Sequence, residues 1–246
     1  MEKPIERWES LGKDIGLFVS KRHTFGMDAV ILARFAAPRK RDVACDLGAG
    51  CGIISFLWAL GNGPARIDGV EMQQDGVELM IRSVDVNRLG HRIRPICADL
   101  RRYRPGQVYD LVACNPPYFK ESAGTVSAEQ GRRTARFEEA ATLEDVVRCA
   151  AGILKDRGRF CMVHRPERLC DCMVAMREAG LEPKRIQLVH QRADKPPILL
   201  LAEGRKRCRP GMAVEPPLVL VGQDGRFTEE YRRMYDEQGE SQWQGH

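Results

Sequence analysis

The sequence predicts an α/β fold, a mostly parallel seven-stranded sheet flanked by helices. Short apolar runs alternate with longer stretches of helical spacing, a glycine-rich turn follows the first run, and polar or acidic residues sit at the ends of the first four. That placement is the one strands adopt when their carboxyl ends face a ligand. Strands near 42–47, 66–71, 92–97 and 108–114 alternate with helices near 53–61 and 73–90, and the second helix carries Val77, Met80, Ile81 and Val84 at helical spacing. Thr142, with Asp145 three residues on, makes a capping-box pattern that opens a helix running to Leu154. A fifth strand spans 158–164. Pro166 then suits a first helical turn, Leu169, Met173 and Met176 form the apolar stripe behind it, and Gly180 closes the helix. Strands at 185–190 and 198–202, joined by a proline-containing loop, complete the seven, the last being the one suited to antiparallel pairing.

The 246 residues suit a single domain. Within it, residues 42–204 form the expected core, 1–41 an N-terminal extension packing on it, and 205–246 a basic C-terminal extension. The first extension holds a polar start, Phe25-Gly26-Met27-Asp28 and an apolar helix at 29–37; Asp28 reads as the N-cap of that helix, with closure of the ligand site as its second reading. The other begins at Arg205-Lys206-Arg207-Cys208-Arg209 and ends in a helix started by Thr228, beyond which the tail after Glu237 is expected to fray.

Two segments carry chemistry. In Val43-Ala44-Cys45-Asp46-Leu47-Gly48-Ala49-Gly50-Cys51-Gly52 a buried strand runs through an aspartate into a G-x-G-x-G turn and an apolar helix. Glycines there let backbone N–H groups approach a ligand, and the helix start adds partial positive charge. A dinucleotide turn would need glycine where the chain has Ile53, and its pyrophosphate would meet the Asp46 carboxylate, which disfavours a nicotinamide-dependent oxidoreductase. A carboxylate ahead of the glycines suits a cationic, amine-bearing ligand, and S-adenosylmethionine is such a ligand. Glu71, at the end of the second strand, is placed to accept both ribose hydroxyls, and Asp99, after the third, to accept from the adenine amino group. With Met72 and Leu100 beside them, the expected cofactor-binding set is Asp46, Gly48, Gly50, Gly52, Glu71, Met72, Asp99, Leu100 and Asn115.

The second segment is Asn115-Pro116-Pro117-Tyr118, at the end of the fourth strand. An exocyclic amine on an aromatic base is a poor nucleophile because its lone pair is delocalised into the ring. The Asn115 side-chain oxygen and the Pro116 carbonyl are suited to accept its two hydrogens, which favours a tetrahedral nitrogen with the lone pair available. Paired prolines hold that carbonyl without offering a competing donor. Tyr118 offers a stacking face, an interaction worth roughly 1–3 kcal/mol in single-stranded nucleic-acid binding. Asn115, Pro116 and Tyr118 are the expected catalytic residues, and no metal or covalent nucleophile is required. A proline-rich turn closing a strand is the plainer reading of the tetrapeptide alone.

Charge and cysteine bound the setting. The net charge of +5 is modest, but arginines cluster at Arg101-Arg102-Arg104, at Arg132-Arg133-Arg136 and from Arg205 to Arg209. Two of these clusters fall in loops after site-bearing strands, where they suit the approach of a phosphate backbone; solubilising charge is the plainer reading. Nine cysteines are scattered with no paired C-x-x-C spacing, which points away from zinc and from a disulfide framework and toward a reducing cytoplasm. Neither a signal peptide nor a long apolar span is present in the pattern, so membrane insertion is not expected. His164 and His190 end strands and are not assigned catalytic roles.

The glycine and Asn-Pro-Pro-Tyr segments resemble those of class I S-adenosylmethionine-dependent methyltransferases that modify exocyclic amines, and nearly the full chain resembles the tRNA1(Val) (adenine-37)-N6-methyltransferase family. The narrower resemblance rests also on Phe25-Gly26-Met27-Asp28-Ala29, on His164-Arg165-Pro166-Glu167-Arg168-Leu169 and on Glu215-Pro216-Pro217-Leu218. It implies a Rossmann-like fold and methyl transfer to N6 of the adenosine beside the anticodon of a valine tRNA, the base being splayed from its loop. One departure stands at Ala135-Arg136-Phe137-Glu138, where the family pattern reads Ala-Arg-His-Glu and this chain loses an imidazole expected near the substrate. Rival readings are N-methylation of another nitrogen, such as rRNA guanine N2 or a protein glutamine amide, and a non-catalytic RNA-binding or S-adenosylmethionine-sensing module, which the set of strand-end acids disfavours.

Overall fold

A computed structural model describes residues 6–12, 15–60, 63–116 and 141–236. Tyr118, Phe137 and the Arg132-Arg133-Arg136 cluster lie outside the described residues, as do Pro117 and the tail from residue 237 on. The chain opens on an antiparallel hairpin, β1 (Glu6–Gly12) and β2 (Ile15–Ser20), followed by α1 (Met27–Ala36). Then come β3 (Val43–Leu47), α2 (Ile53–Leu60), β4 (Arg66–Glu71), α3 (Gln74–Val86), β5 (Ile93–Cys97) and β6 (Tyr109–Cys114). From residue 141 on follow α4 (Leu143–Ile153), β7 (Leu154–His164), a 3₁₀ turn at Pro166–Arg168, α5 (Leu169–Glu178), β8 (Leu181–His190) and β9 (Pro197–Lys206). Two short strands, β10 (Ala213–Val214) and β11 (Leu218–Val219), and α6 (Glu229–Asp236) finish it.

The main sheet runs β10-β8-β9-β7-β6-β3-β4-β5, with β11 also on β8. Neighbours from β7 through β5 are parallel, and β9 is antiparallel to both β7 and β8. The seven expected strands are all present, but among the described residues the sheet has nine because β10 and β11 each add a two-residue pairing to β8. Pieces that short in a proline-rich segment carry no readable alternation.

Parallel strands are covered on both faces, and the covering helices show it. In α2 every residue from Ile53 to Ala59 is buried, and its Trp58 Nε1 donates to Ala33 O at 3.0 Å, tying α2 to α1. Val30 and Ile31 of α1 share one core cluster with Phe56 and Ile67. On the opposite face Val146, Val147 and Met176 pack with Val112, Phe160 and Leu200. Burying each such side chain contributes about 1.5–3 kcal/mol. Thr142 and Asp145 form the expected reciprocal cap, each side chain accepting from the other's backbone N–H at 3.2 Å. The hairpin lies on α3, where Phe18 N donates to Ser83 Oγ at 2.9 Å and Asn87 Nδ2 donates to Gly16 O at 2.7 Å.

Three further differences have physical reasons. Helix α1 takes Gly26 as its N-cap with no side-chain cap bond, so Asp28 lies inside the first turn instead of capping it. Strands β7, β8 and β9 extend beyond the apolar runs into charged sequence, and in the added part of β9 Arg205 donates to Glu203, which is 2% exposed and also accepts from Arg185. Arg205 and Lys206 of the basic segment are therefore strand residues, and Lys206 Nζ donates to Ala151 O and Leu154 O at 2.6 and 2.8 Å. Among the described residues no helix is long and apolar enough to cross a membrane.

Candidate active site

Strand order reverses at β3, with β4 and β5 on one side and β6 and β7 on the other. Connections leaving such a point diverge and open a crevice beyond the carboxyl ends of the strands. A cavity of about 780 Å³ sits there, bounded by the β2–α1 turn, the glycine turn and the ends of β4, β5 and β6. That volume suits a nucleoside-sized ligand. Of the expected residues, Gly48, Gly50, Glu71, Met72, Asp99, Leu100, Asn115 and Pro116 line it. Asp46 and Gly52 are not on its wall.

Gly48 and Gly50 have φ of +76° and +56°, a left-handed backbone that glycine adopts without a Cβ penalty. Gly48 and Ala49 donate to Val70 O at 2.8 and 2.9 Å, and Gly50 N donates to Glu71 Oε2 at 2.9 Å. The other oxygen of Glu71 accepts from Gln73 N at 2.8 Å, so this carboxylate is pinned to the wall by one backbone bond on each oxygen. Gly52 serves packing instead: at φ +90°, a Cβ there would stand 2.8 Å from Met80 Cγ.

Asp46 is also a support. It is 1% exposed, and its Oδ2 accepts from Ser55 N at 3.1 Å and Ser55 Oγ at 2.9 Å, locking the strand end to the first turn of α2. Burial pushes its carboxyl up to about 7, with the Glu71 charge adding and the Ser55 bonds opposing. Asp99 reaches the cavity already shared: its carboxylate accepts from Arg101 N and Nε at 2.9 Å, and these bonds with the Arg101 charge hold it below the ordinary carboxylate range. Arg104 donates to the carbonyls of Arg101 and Tyr103, so two of the three arginines in this cluster are engaged locally.

At the end of β6, Asn115 Nδ2 donates to Asp28 Oδ2 at 3.1 Å, and Asp28 lies on the cavity wall. Sequence reasoning gave Asp28 first to the helix cap and second to closure of the ligand site; its carboxylate lies on the cavity wall, with Gly26 at the cap position. His23 was missed. It is 6% exposed, lines the cavity, sits so close to Gly76 that a Cβ there would be 2.9 Å from its Cε1, and brings Nε2 to 3.0 Å from Asp75 Oδ1. Burial acts to raise the Asp75 carboxyl, but the His23 bond and charge with the Arg22 charge outweigh it and hold it below its usual range. Only the run His23–Phe25 ahead of an apolar helix marks this segment in the sequence. His164 is off the wall; its Nδ1 accepts from Arg165 N at 2.8 Å, and burial with the Arg168 and Arg165 charges lowers its pKa. Cys114 is on the wall, but burial pushes its thiol well above the ordinary value, which unfits it as a thiolate nucleophile.

The wall thus offers a bare glycine turn, carboxylates at the ends of β4 and β5, and an amide and a proline carbonyl at the end of β6. Such groups bind, orient and accept hydrogen bonds, which suits a reaction driven by alignment. Among curated proteins, the Tolumonas auensis protein named tRNA1(Val) (adenine(37)-N6)-methyltransferase is 28% identical over 217 residues, covering 86% of this chain and 88% of that protein. A Parabacteroides distasonis protein of the same name is 28% identical over 180 residues, 72% of this chain and 75% of that one. Another, from Erwinia tasmaniensis, is 30% identical over 141 residues, and there the match spans only 57% of the relative's length. Among solved structures, a predicted O-methyltransferase from Agrobacterium tumefaciens superposes with a TM-score of 0.69 at 22% identity, covering 87% of this chain and 98% of that one. M. jannaschii TYW2 in complex with AdoMet gives 0.56 at 15% identity, covering 83% and 87%. At those identities the likeness is one of fold. The family model for the methyltransferase small domain matches residues 10–179, from the hairpin through α5 and so across the whole cavity, and this chain is a methyltransferase belonging to that family.

Proposed function

We propose that the chain methylates the N6 amine of an adenosine in tRNA, with position 37 of a valine tRNA as its target. The observation that carries this reading is the placement of Asn115 and Pro116 on the cavity wall at the end of β6, the strand beside the glycine turn. The cofactor is S-adenosylmethionine, and the cavity fits it on its own terms: the left-handed turn at Gly48 and Gly50 puts bare backbone on the wall, and the ends of β4 and β5 supply acceptors for hydroxyl and amino groups. When bound, it supplies a methyl group activated by a sulfonium. Glu71 would hold the ribose, and Met72, Asp99 and Leu100 the adenine. The Asn115 oxygen and the Pro116 carbonyl would accept the two N6 hydrogens of the target and free its lone pair for attack, and the surplus proton would leave to water. Rate enhancement comes from alignment in a site that sheds water. Asp46 and Gly52, expected at the cofactor, act one layer behind by fixing the turn. The tRNA substrate is supported by the names of relatives at 28% identity, and Lys21 and Arg22 at the cavity edge suit a phosphate backbone.

The test is to incubate the purified protein with methyl-labelled S-adenosylmethionine and tRNA from cells lacking this enzyme, then digest to nucleosides. Label in N6-methyladenosine from valine tRNA is the expected result. Label in a different nucleoside keeps the chemistry and moves the substrate. Cofactor binding with no label in any RNA refutes the proposal.

A further inference from the structure

We infer that Asp28 is a positioning residue for methyl transfer: its carboxylate, in the first turn of α1, fixes the Asn115 amide so that the amide oxygen is the edge presented to the incoming amine. The inference rests on the role proposed for Asn115 above. A primary amide has two edges, one donating and one accepting, and an amine that must give up two hydrogens can use only the accepting one. Asn115 Nδ2 lies 3.1 Å from Asp28 Oδ2. Turning the amide over would bring its oxygen against a carboxylate oxygen at the same separation, two acceptors with no proton between them, so the carboxylate selects one orientation. A bond to an ionised acceptor is also stronger than one to a neutral group, and donating to it polarises the amide, making its oxygen the better acceptor.

Asp28 is itself held. Its Oδ1 accepts from Ala29 N at 3.0 Å. Gly26 makes space for that arrangement, because a Cβ at position 26 would stand 2.7 Å from Asp28 Oδ1. Helix α1 behind it is a rigid mount, buried from Ala29 to Ala33 and pinned by Trp58. A carboxylate in a first helical turn also interacts favourably with the helix dipole, but that role does not require it to bond Asn115.

The experiment compares wild type with Asp28→Ala and Asp28→Asn, reading kcat and KM for tRNA, calorimetric S-adenosylmethionine affinity, and the NMR signal of the Asn115 side-chain NH₂ in the protein without substrate. Asp28→Ala should lower kcat roughly 100-fold, the cost of a misplaced reacting group, while cofactor affinity and KM stay within about threefold. Asp28→Asn, which keeps a neutral acceptor in the same volume, should regain about tenfold of that loss and covers the case in which the alanine variant does not fold. The Asn115 NH₂ signal should move in both variants. A kcat within about threefold of wild type in Asp28→Ala, or a loss carried wholly by cofactor affinity, overturns the inference. If the wild-type protein labels no RNA, the functional reading fails and the role with it; an unmoved NH₂ signal in an active enzyme refutes the Asp28 contact alone.

Discussion

Replacing Asp46 with asparagine should make the protein's stability less sensitive to a rise in pH from the acid range to about 7. The carboxyl is 1% exposed and its pKa stands at about 7 against an ordinary 3.8, because burial disfavours the charged form more than the two Ser55 bonds favour it. The folded value lies above the unfolded one, so the folded state holds its proton more tightly. Below the unfolded pKa both states are protonated and nothing is lost; as pH rises through the window up to about 7 the unfolded state ionises first, and stability falls. At 1.36 kcal/mol per pH unit the full loss is on the order of 4 kcal/mol, and about 2–3 kcal/mol of it falls between roughly pH 5 and pH 8. Asparagine keeps an oxygen for Ser55 and carries no charge, so its variant lacks this pH term. In a domain of this length about 2–3 kcal/mol corresponds to roughly 5–10 °C in Tm. Thermal unfolding of both proteins at the two pH values isolates the group, since every other titration is shared. The difference between variant and wild type should shift in the variant's favour on going from acid to alkaline buffer. A difference independent of pH would refute the claim that Asp46 is a buried support whose ionisation opposes folding.

Asn115→Ala should cut kcat by about 10²–10³, as removing one preorganised hydrogen-bonding group at a reacting centre does, while calorimetric S-adenosylmethionine affinity changes only a few-fold; near wild-type turnover would remove Asn115 from the chemistry. Gly52→Ala places a Cβ 2.8 Å from Met80 Cγ at a left-handed φ, so it should cost about 1–3 kcal/mol, read as a lower urea midpoint with unchanged slope. Glu71→Gln retains the shape but removes the anionic acceptor and should weaken S-adenosylmethionine roughly tenfold by calorimetry; equal affinity would exclude a ribose contact there.

The fold was legible where its signals are local. Runs of apolar residues that end at Leu47, Glu71, Cys97 and Cys114 mark parallel strands because helices bury them from both sides, and the Thr142 and Asp145 cap depends only on residues three apart. The hairpin was not legible, because its order comes from α3: Phe18 packs edge-on to Trp8 and lies beneath the Arg82 guanidinium, 4.3 Å from ring centre to charge. A charged stretch hid the end of β9, at Arg205, for the opposite reason. Arg159, Arg185 and Arg205 all converge on the buried Glu203, and an arginine that is neutralised inside looks, in sequence, like one left in water.

The site divides along the same line. Chain direction places Glu71, Asp99 and Asn115 at one edge of the sheet, since parallel strands all end on the same side, and that much follows from topology alone. Whether a side chain at that edge turns toward the cavity or toward the helix behind it depends on partners elsewhere. Asp46 turns to Ser55, nine residues on across the turn, and Gly52 to Met80 in α3; nothing in the glycine motif distinguishes these from Gly48 and Gly50. Asp28 is the sharper case. An aspartate opening an apolar helix is fully accounted for by capping, so the local explanation conceals the distant one, and Asn115 lies 87 residues away. Only when Gly26 takes the N-cap position is the carboxylate left to serve another purpose. A residue explained by its neighbours in sequence is therefore where a site can be overlooked, and the Asn115 side-chain signal in an Asp28 variant tests that directly.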